Sequence, residues 1–157
     1  MVAKRKPVKK GGRLPDVCLP SASGETVCLR DLIGKKRLVV FFYPKDESPI
    51  CTKEACAFRD AYGRFEELNA HVVGISADTA ESHKKFSQNH ELPFILLSDS
   101  KGDAARKFGI GATLGVLPGR VTYVIDKRGR VKAMYSSQFR PGRHVEEALQ
   151  ALQESEE

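Results

Sequence analysis

Runs of consecutive apolar residues alternate with segments of helical spacing through the middle of the chain. Residues 37–43 and 71–76 are mostly apolar, which predicts two strands buried on both faces. Between them, from Thr52 to about Leu68, apolar residues recur every three or four positions, which predicts a helix. Strands that alternate with helices form a parallel or mixed sheet covered on both sides. The pattern therefore predicts an α/β fold.

Strand pairs are predicted on either side of this alternating region. Residues 16–19 and 26–29 flank a turn-rich segment, and residues 121–126 and 131–135 flank a second one, so each pair predicts a β-hairpin. The remaining predicted elements are a helix capped by Asp78 or Thr79 and ending near His90, a strand at 94–97, a short helix at 103–108 and a closing helix at 144–153. The sum is a central mixed sheet flanked by helices, with an added N-terminal hairpin.

The composition is typical of a soluble globular protein with one domain. The 157 residues are enough for a substantial core, and 41% are hydrophobic and 29% charged. No apolar run approaches the ~20 residues of a membrane span. The N-terminus lacks the apolar segment of a secretory signal, so we expect a cytoplasmic location.

The net charge of +6 is concentrated at the N-terminus. Residues 1–13 contain six basic residues and no acidic one; subtracting these six from the 26 basic residues leaves 20, which balances the 20 acidic residues. We expect 1–13 to be a basic, disordered tail and 14–157 to be the folded domain. A nuclear address or a nucleic-acid contact is the alternative for the tail. A neutral body without an aromatic and basic stripe argues against nucleic acid as the main partner.

The thiol Cys51 stands between the strand at 37–43 and the predicted helix, after a loop that contains Pro44 and Pro49. Free backbone N–H groups and the helix dipole favour an anion at a helix N-terminus. A thiolate is such an anion, and it is the reactive form of cysteine. A second thiol, Cys56, follows five residues later. The two cysteines are predicted to form a redox-active pair.

Other roles for the four cysteines fit less well. Without a secretory signal, a structural disulfide framework is not expected. A Cys-x4-Cys iron–sulfur pattern needs a third cysteine at position 59, which is arginine, and zinc would need two further ligands. If Val17 pairs with Leu29, Cys18 and Cys28 lie opposite each other; a cross-strand bond is then possible, but ordinary packing is favoured. The four histidines show no ligand or base spacing.

The spacing of Cys51 and Cys56 has a geometric consequence. Five residues along an ideal helix separate their Cα atoms by about 8.6 Å. A disulfide tolerates at most about 7 Å. The bond therefore cannot form while both residues stay helical, and oxidation is expected to unwind at least the first turn.

The loop and the cysteines resemble the peroxiredoxin family. Pro44, Ser48 and Cys51 fit its pattern Pro-x-x-x-Thr/Ser-x-x-Cys, and Cys56 resembles the resolving cysteine of the peroxiredoxin Q branch, also called bacterioferritin comigratory protein. The resemblance runs from about Leu14 to Leu152. Further matching segments lie at 53–60, 96–99 and 117–126, and at Gln138, Phe139 and His144. Ser48 replaces the commoner threonine, and Ile50 replaces the usual glycine before the cysteine.

The resemblance implies a thioredoxin-like fold and thiol-dependent reduction of hydrogen peroxide and organic hydroperoxides. It implies that Cys51 is the nucleophile that becomes a sulfenic acid, and that Cys56 condenses with it to a disulfide. Arg120 would favour the thiolate and stabilise charge on oxygen, Ser48 would orient the peroxide, and Pro44 would shield the thiolate. Thioredoxin or a similar dithiol would reduce the disulfide, with no metal or cofactor.

The resemblance also bears on assembly and location. It implies a monomer. The basic tail leaves two alternatives to the cytoplasm: the plastid, if the tail is the remnant of a removed transit peptide, and the nucleus, if it is a nuclear signal. Two rival functions stay open. A thiol–disulfide reductase normally uses Cys-x-x-Cys, which is absent. A redox-responsive binding module would use the basic tail to contact nucleic acid.

Overall fold

A five-stranded mixed sheet lies at the centre of the fold. We describe the protein from a computed structural model, which covers residues 10–110, 120–137 and 140–154. The strand order is β5-β4-β3-β6-β7, in which β3 pairs parallel with β4 and antiparallel with β6. The strands of this sheet are β3 (Arg37–Phe42), β4 (Ala70–Ser76), β5 (Ile95–Ser98), β6 (Val121–Ile125) and β7 (Val131–Ser136). The predicted α/β fold with a mixed sheet is confirmed.

Strand β3 is the middle strand, and all six of its residues are buried. Its side chains alternate between two hydrophobic clusters. Val39 and Phe41 belong to one cluster, and Leu38, Val40 and Phe42 belong to the other. Both faces of the strand are therefore covered, which explains its continuous apolar sequence and confirms the prediction made from it.

Four helices cover one face of the sheet, and the N-terminal hairpin and a short helix cover the other. The helices are α1 (Pro49–Asp60), α2 (Tyr62–Glu67), α3 (Ala80–His90), α4 (Asp103–Phe108) and α5 (Pro141–Glu154), and α4 is the one that lies beside the hairpin. The rings of Phe41 in β3 and Phe58 in α1 stack with centroids 4.4 Å apart. This contact seats α1, which contains both predicted redox cysteines, directly on the central strand.

The helix predicted from Thr52 to about Leu68 is wrong in its boundaries. It begins three residues earlier and is interrupted at Ala61, whose φ of −96° and ψ of 3° are not helical. The early start follows from Ser48, which has an extended backbone, and from Pro49 at the first helical position, where its missing N–H costs nothing. Gly63 follows the interruption, and glycine has a low helix propensity.

The two candidates for the cap of α3 have different roles. The Thr79 hydroxyl oxygen accepts a hydrogen bond from the Ser82 N–H at 3.1 Å, so Thr79 is the N-cap. The Asp78 carboxylate instead accepts from the Asp46 backbone N–H at 2.8 Å and from the Ser76 hydroxyl at 2.6 Å. Asp78 therefore ties the end of β4 to the loop before α1.

The first hairpin is a separate two-stranded sheet of β1 (Cys18–Pro20) and β2 (Thr26–Cys28). Cys18 lies directly opposite Cys28, as predicted, and the two are joined by a disulfide. The expectation that these cysteines only pack was wrong, because the register brings their Cα atoms to 3.9 Å. The bond involves neither Cys51 nor Cys56, both of which are free thiols.

Some sequence predictions fall on residues outside the described ranges. They concern residues 1–9 of the predicted tail, residues 117–119, and Gln138 with Phe139. Gly11 and Gly12 of the predicted tail are described, and both hydrogen-bond to Val131 of β7. The Gly11 N–H donates to the Val131 carbonyl at 2.7 Å, and the Val131 N–H donates to the Gly12 carbonyl at 2.8 Å. Within the described ranges, no helix is long and apolar enough to span a membrane.

Gly74 in β4 provides a test of the central packing. A Cβ at this position would lie 2.8 Å from atoms of both the Leu96 and Phe41 side chains. We expect Gly74→Ala to lower the free energy of unfolding by about 1–3 kcal/mol, because overpacking forces neighbours to shift. Denaturant unfolding measures this change.

The matched control is Gly63→Ala. A Cβ at Gly63 would meet no atom within 4 Å, and the residue is helical. This variant should be neutral or more stable by up to about 1 kcal/mol. Equal destabilisation of both variants would show that the packing around Gly74 is not the cause.

Candidate active site

Cys51 is the third residue of α1 and is 1% exposed. Its position in the first turn places it among the backbone N–H groups that have no partner within the helix. The positive end of the helix dipole favours a negative charge there. The predicted strand-to-helix position of Cys51 is therefore confirmed.

Arg120 lies against Cys51. Its Nη1 atom is 2.8 Å from the Cys51 sulfur, and the arginine is 5% exposed. The two residues are 69 positions apart in sequence. They meet because β3 and β6 are antiparallel: Phe42 at the end of β3 pairs with Val121 at the start of β6. The loop after β3 and the residue before β6 thus lie at the same edge of the sheet.

Buried polar side chains hold the loop between β3 and α1 in place. Tyr43 donates its hydroxyl proton to one oxygen of the Asp46 carboxylate at 2.5 Å. The other oxygen lies 2.7 Å from Nδ1 of His83, whose Nε2 lies 2.9 Å from the Leu97 carbonyl. Both ring nitrogens of His83 thus lie within hydrogen-bond distance of an oxygen atom. Asp46 is thereby fixed to α3 and β5.

Two other predicted site residues lie on this loop. Ser48 caps α1 through its backbone, and its hydroxyl donates to the Lys45 carbonyl at 3.0 Å rather than to a helix N–H. Pro44 is half-buried between β3 and Asp46. Cys56 is half-buried in α1, on the same helix as Cys51, as the sequence predicted. The structure therefore brings Cys51 and Arg120 into contact and places the other three residues on the elements around them.

A buried carboxyl group also lies beside Arg120. Glu54 in α1 has no exposed surface; one of its oxygens is 3.7 Å from Nη1 of Arg120 and the other is 3.5 Å from Nε2 of His144. Neither oxygen has a hydrogen-bond partner among the described residues. Burial raises the pKa of Glu54 to about 8, and the nearby charge of Arg120 offsets only part of this rise. At neutral pH the carboxyl is protonated and does not compete with Cys51 for the guanidinium.

His144 adds no charge to this site at neutral pH. Burial lowers its pKa, and the hydrogen bond to Ser137 opposes this less strongly. Its Nε2–H donates to the Ser137 carbonyl at 2.9 Å, and its Nδ1 accepts from the Thr122 hydroxyl at 2.8 Å. The neutral ring thus holds α5 against the start of β6, beside Arg120.

Sequence reasoning missed Glu54, Asp46 and His83. Their roles depend on burial, which contacts between distant segments create. One signal was available for His83, because it stands three positions before the buried Phe86 on the same helix and so shares its inward face. For Glu54, the corresponding signal is its place three residues after Cys51 and four before Phe58, both of which are buried.

Asp46, Asp78 and His83 also have the composition of a metal site, with candidate ligand atoms all within 4.8 Å of one another. Their atoms are already engaged. One Asp46 oxygen accepts from Ser82 and contacts His83, and one Asp78 oxygen accepts from a backbone N–H and from Ser76. The arrangement is that of a hydrogen-bonded network, and we assign no metal to it.

The chain matches known proteins over nearly its whole length. Residues 11–134 match the model of the AhpC/TSA family. The chloroplastic peroxiredoxin Q of Sedum lineare is 48% identical over 147 residues, which cover 93% of this chain and 78% of that protein. The chloroplastic peroxiredoxin Q of Arabidopsis thaliana is 46% identical over 146 residues, covering 92% of this chain and 67% of that protein.

Solved structures show the same relationship. The peroxidoxin BcpB of Mycobacterium tuberculosis has a TM-score of 0.87 and 38% identity, covering 94% of this chain and 97% of that one. A peroxiredoxin Q of Xanthomonas campestris has a TM-score of 0.81 and 28% identity, covering 90% and 92%. Fold and site together define a thiol peroxidase of the thioredoxin-like class. The chain belongs to the AhpC/TSA family, and within it to the peroxiredoxin Q relatives.

The raised pKa of Glu54 predicts a pH dependence of stability. Between pH 4.5, the ordinary pKa, and about 8, the folded protein holds a proton that the unfolded chain has released. The stability from this proton is fully present below pH 4.5 and is lost as pH rises through 8, by about 1.4 kcal/mol per pH unit at most. Glu54→Gln should remove this slope in urea unfolding measured across the range.

Glu47→Gln is the control for this experiment. Hydrogen bonds from His90 and Asn89 lower the pKa of Glu47, so its contribution is lost only as pH falls through the acidic range. This variant should leave the slope between pH 4.5 and 8 intact. A slope that persists in Glu54→Gln would contradict a protonated Glu54.

Proposed function

We propose that this chain reduces hydrogen peroxide and organic hydroperoxides with Cys51 as the nucleophile and Cys56 as the resolving thiol. One observation carries the proposal: the buried sulfur of Cys51 lies 2.8 Å from the guanidinium of Arg120 at a helix N-terminus. Both the arginine and the helix dipole favour the thiolate. A buried thiolate with a cation beside it is set up to attack an electrophilic oxygen.

In the first step the Cys51 thiolate attacks the terminal oxygen of the peroxide. The O–O bond breaks, the sulfur becomes a sulfenic acid, and the departing oxygen leaves as water or an alcohol after taking a proton. Arg120 stabilises the negative charge that moves from sulfur to oxygen. The Ser48 hydroxyl orients the peroxide oxygens once it leaves the Lys45 carbonyl, and Pro44 limits the access of water.

In the second step the Cys56 thiol attacks the sulfenic sulfur, water leaves, and a disulfide joins the two residues of α1. The ideal helical separation of about 8.6 Å exceeds the limit of about 7 Å for a disulfide. The start of α1 therefore has to unwind. Unwinding also moves the disulfide out of the buried site to the protein surface, and a reductant can reach it there.

A dithiol protein such as thioredoxin is the proposed reductant, because an exposed disulfide is reduced by thiol–disulfide exchange. Both cysteines belong to one chain, so the cycle needs no second subunit, and we propose a monomer. The plant relatives carry the description chloroplastic, which favours the plastid over the cytoplasm among the locations considered. The basic tail leaves a nucleic-acid contact as a secondary possibility.

The roles of the two cysteines are tested with a matched pair of serine variants. Cys51→Ser should abolish peroxide-dependent oxidation of thioredoxin, because no nucleophile is left. Cys56→Ser should consume one equivalent of peroxide and stop at a sulfenic acid, because the remaining cysteines, Cys18 and Cys28, are joined to each other. In the unmodified protein, mass spectrometry after one equivalent of peroxide should find a Cys51–Cys56 bond.

Three results would contradict these roles. One is near-normal turnover by Cys51→Ser, and another is a bond from Cys51 to Cys18 or Cys28. The third is thioredoxin oxidation that proceeds without peroxide through Cys51 and Cys56, which would favour a thiol–disulfide reductase.

The role of Arg120 is tested by Arg120→Met, which keeps the length of the side chain and removes the charge. We expect the second-order rate constant for hydrogen peroxide to fall at least about tenfold, since ~1.4 kcal/mol of lost stabilisation suffices for that. Stopped-flow measurement of Cys51 oxidation provides the value. The control is Arg128→Met at an exposed arginine of the β6–β7 turn, which should react like the unmodified protein. A change below twofold in Arg120→Met would make Arg120 a structural residue.

The unwinding of α1 is tested by hydrogen exchange. In the oxidised protein, amides from Cys51 to Arg59 should exchange faster than in the reduced protein, whereas α2 should keep its protection because Phe65 is fully buried. Cys56→Ser treated with peroxide is the control, since it cannot form the bond and should keep α1 protected. Equal protection in both redox states, with the bond confirmed, would refute this mechanism.

A further inference from the structure

The disulfide of the first hairpin lies on the protein surface, apart from the buried sulfur of Cys51. Val17, Leu19 and Leu29 on the inner face of the hairpin are buried. The cysteines alternate with these residues and therefore point to the outer face. Cys18 is exposed and Cys28 is half-buried. A reductant can thus approach this bond in the folded protein.

The register places this bond at a non-hydrogen-bonded pair of the hairpin. The Leu29 N–H donates to the Val17 carbonyl at 2.9 Å, and the Ser21 N–H donates to the Glu25 carbonyl at 2.7 Å. Hydrogen-bonded pairs alternate with open ones, so Cys18 and Cys28 form an open pair, whose Cα atoms ordinarily lie ~4.5 Å apart. Here they are 3.9 Å apart, below the usual disulfide range of ~4.4–6.8 Å. The two cysteines are therefore adjacent across the strands at a position with no backbone hydrogen bond between them.

The hairpin keeps its place by contacts other than the disulfide. Its backbone hydrogen bonds close the turn. Its inner side chains belong to the hydrophobic cluster that also contains Leu38, Val40 and Phe42 of β3. The Ala22 N–H donates to the Leu96 carbonyl at 3.2 Å, and Ser21 bridges to Leu97, which joins the hairpin to β5. Opening the disulfide therefore requires only that two surface side chains rotate apart.

We propose that Cys18 and Cys28 are a second redox couple, which exchanges electrons with dithiol proteins of the thioredoxin class without any peroxide. Exposed disulfides are the ones that thiols reduce readily, and Cys18 is exposed. This couple goes beyond the proposed peroxidase cycle and does not depend on it. It gives each chain a second site for the same class of partner.

The exchange balances as two thiol–disulfide steps. A thiolate of the reductant attacks the more exposed Cys18 sulfur, the Cys18–Cys28 bond breaks, and Cys28 leaves as a thiolate that takes a proton. The second thiol of the reductant then attacks the sulfur of the reductant's first cysteine, which is bonded to Cys18. This step forms the disulfide of the reductant and releases Cys18 as a thiol. The reductant loses two electrons and becomes a disulfide. Oxidised glutathione reverses the reaction and is reduced to two glutathione thiols.

The test uses the full chain with Cys51→Ser and Cys56→Ser, which leaves only the hairpin cysteines. The oxidised variant is incubated under native conditions with reduced thioredoxin, its free thiols are alkylated, and its intact mass is measured. We expect two alkyl groups per chain and one equivalent of thioredoxin oxidised. A variant with all four cysteines replaced by serine is the control and should oxidise none.

The rate with dithiothreitol distinguishes a redox couple from a structural bond. Reduction of the folded variant should be within about tenfold of the rate in denaturant, where access is complete, and the far-ultraviolet dichroism should not change on reduction. Three results would overturn the proposal. One is reduction of the folded variant more than tenfold slower than in denaturant, and another is loss of the fold on reduction. The third is failure of oxidised glutathione to re-form the bond between the hairpin cysteines. Because this variant has no peroxidase chemistry, none of these outcomes bears on Cys51.

Discussion

The contact between a buried guanidinium and a buried sulfur is the interaction on which the site depends. Arg120 and Cys51 are both almost inaccessible to water, and their contact distance is 2.8 Å. A charge is costly to bury without a partner, and the sulfur of Cys51 is a polar partner within hydrogen-bond distance of the buried guanidinium. The antiparallel pairing of β3 with β6 makes this contact possible, because it brings the two residues to one edge of the sheet.

The residues around Cys51 and Arg120 add no competing charge to their contact. A carboxylate at Glu54 would attract the same guanidinium, yet burial keeps that carboxyl protonated at neutral pH. His144 is held neutral by the same desolvation. Beneath the loop, the contacts of Asp46 with Tyr43 and His83 fix the backbone that leads into α1. Desolvation thus removes competing charges, and a satisfied polar network holds the geometry.

The first turn of α1 serves two opposed requirements. In the proposed cycle, the reactive thiolate needs an intact helix N-terminus, whereas the disulfide between residues five positions apart needs that helix undone. The division of the predicted single helix at Ala61 matters here, because it leaves α1 as a separate segment of 12 residues. The residues beyond the break are anchored by Phe65, so a change at the start of α1 does not have to reach them.

The sequence alone determined the local features of this protein. Continuous apolar residues identified the middle strand, because a strand covered on both faces has no polar side. The position of Cys51 at the start of a helix and of Cys56 on the same helix could also be predicted, because both depend on residues close in sequence. The tertiary structure decided the rest. Glu54, Asp46 and His83 acquire their roles from burial by distant segments. The hairpin disulfide depends on the distance across the strands, and there the sequence had favoured ordinary packing. These features could not be predicted, because desolvation and cross-strand distance arise only when distant parts of the chain come together.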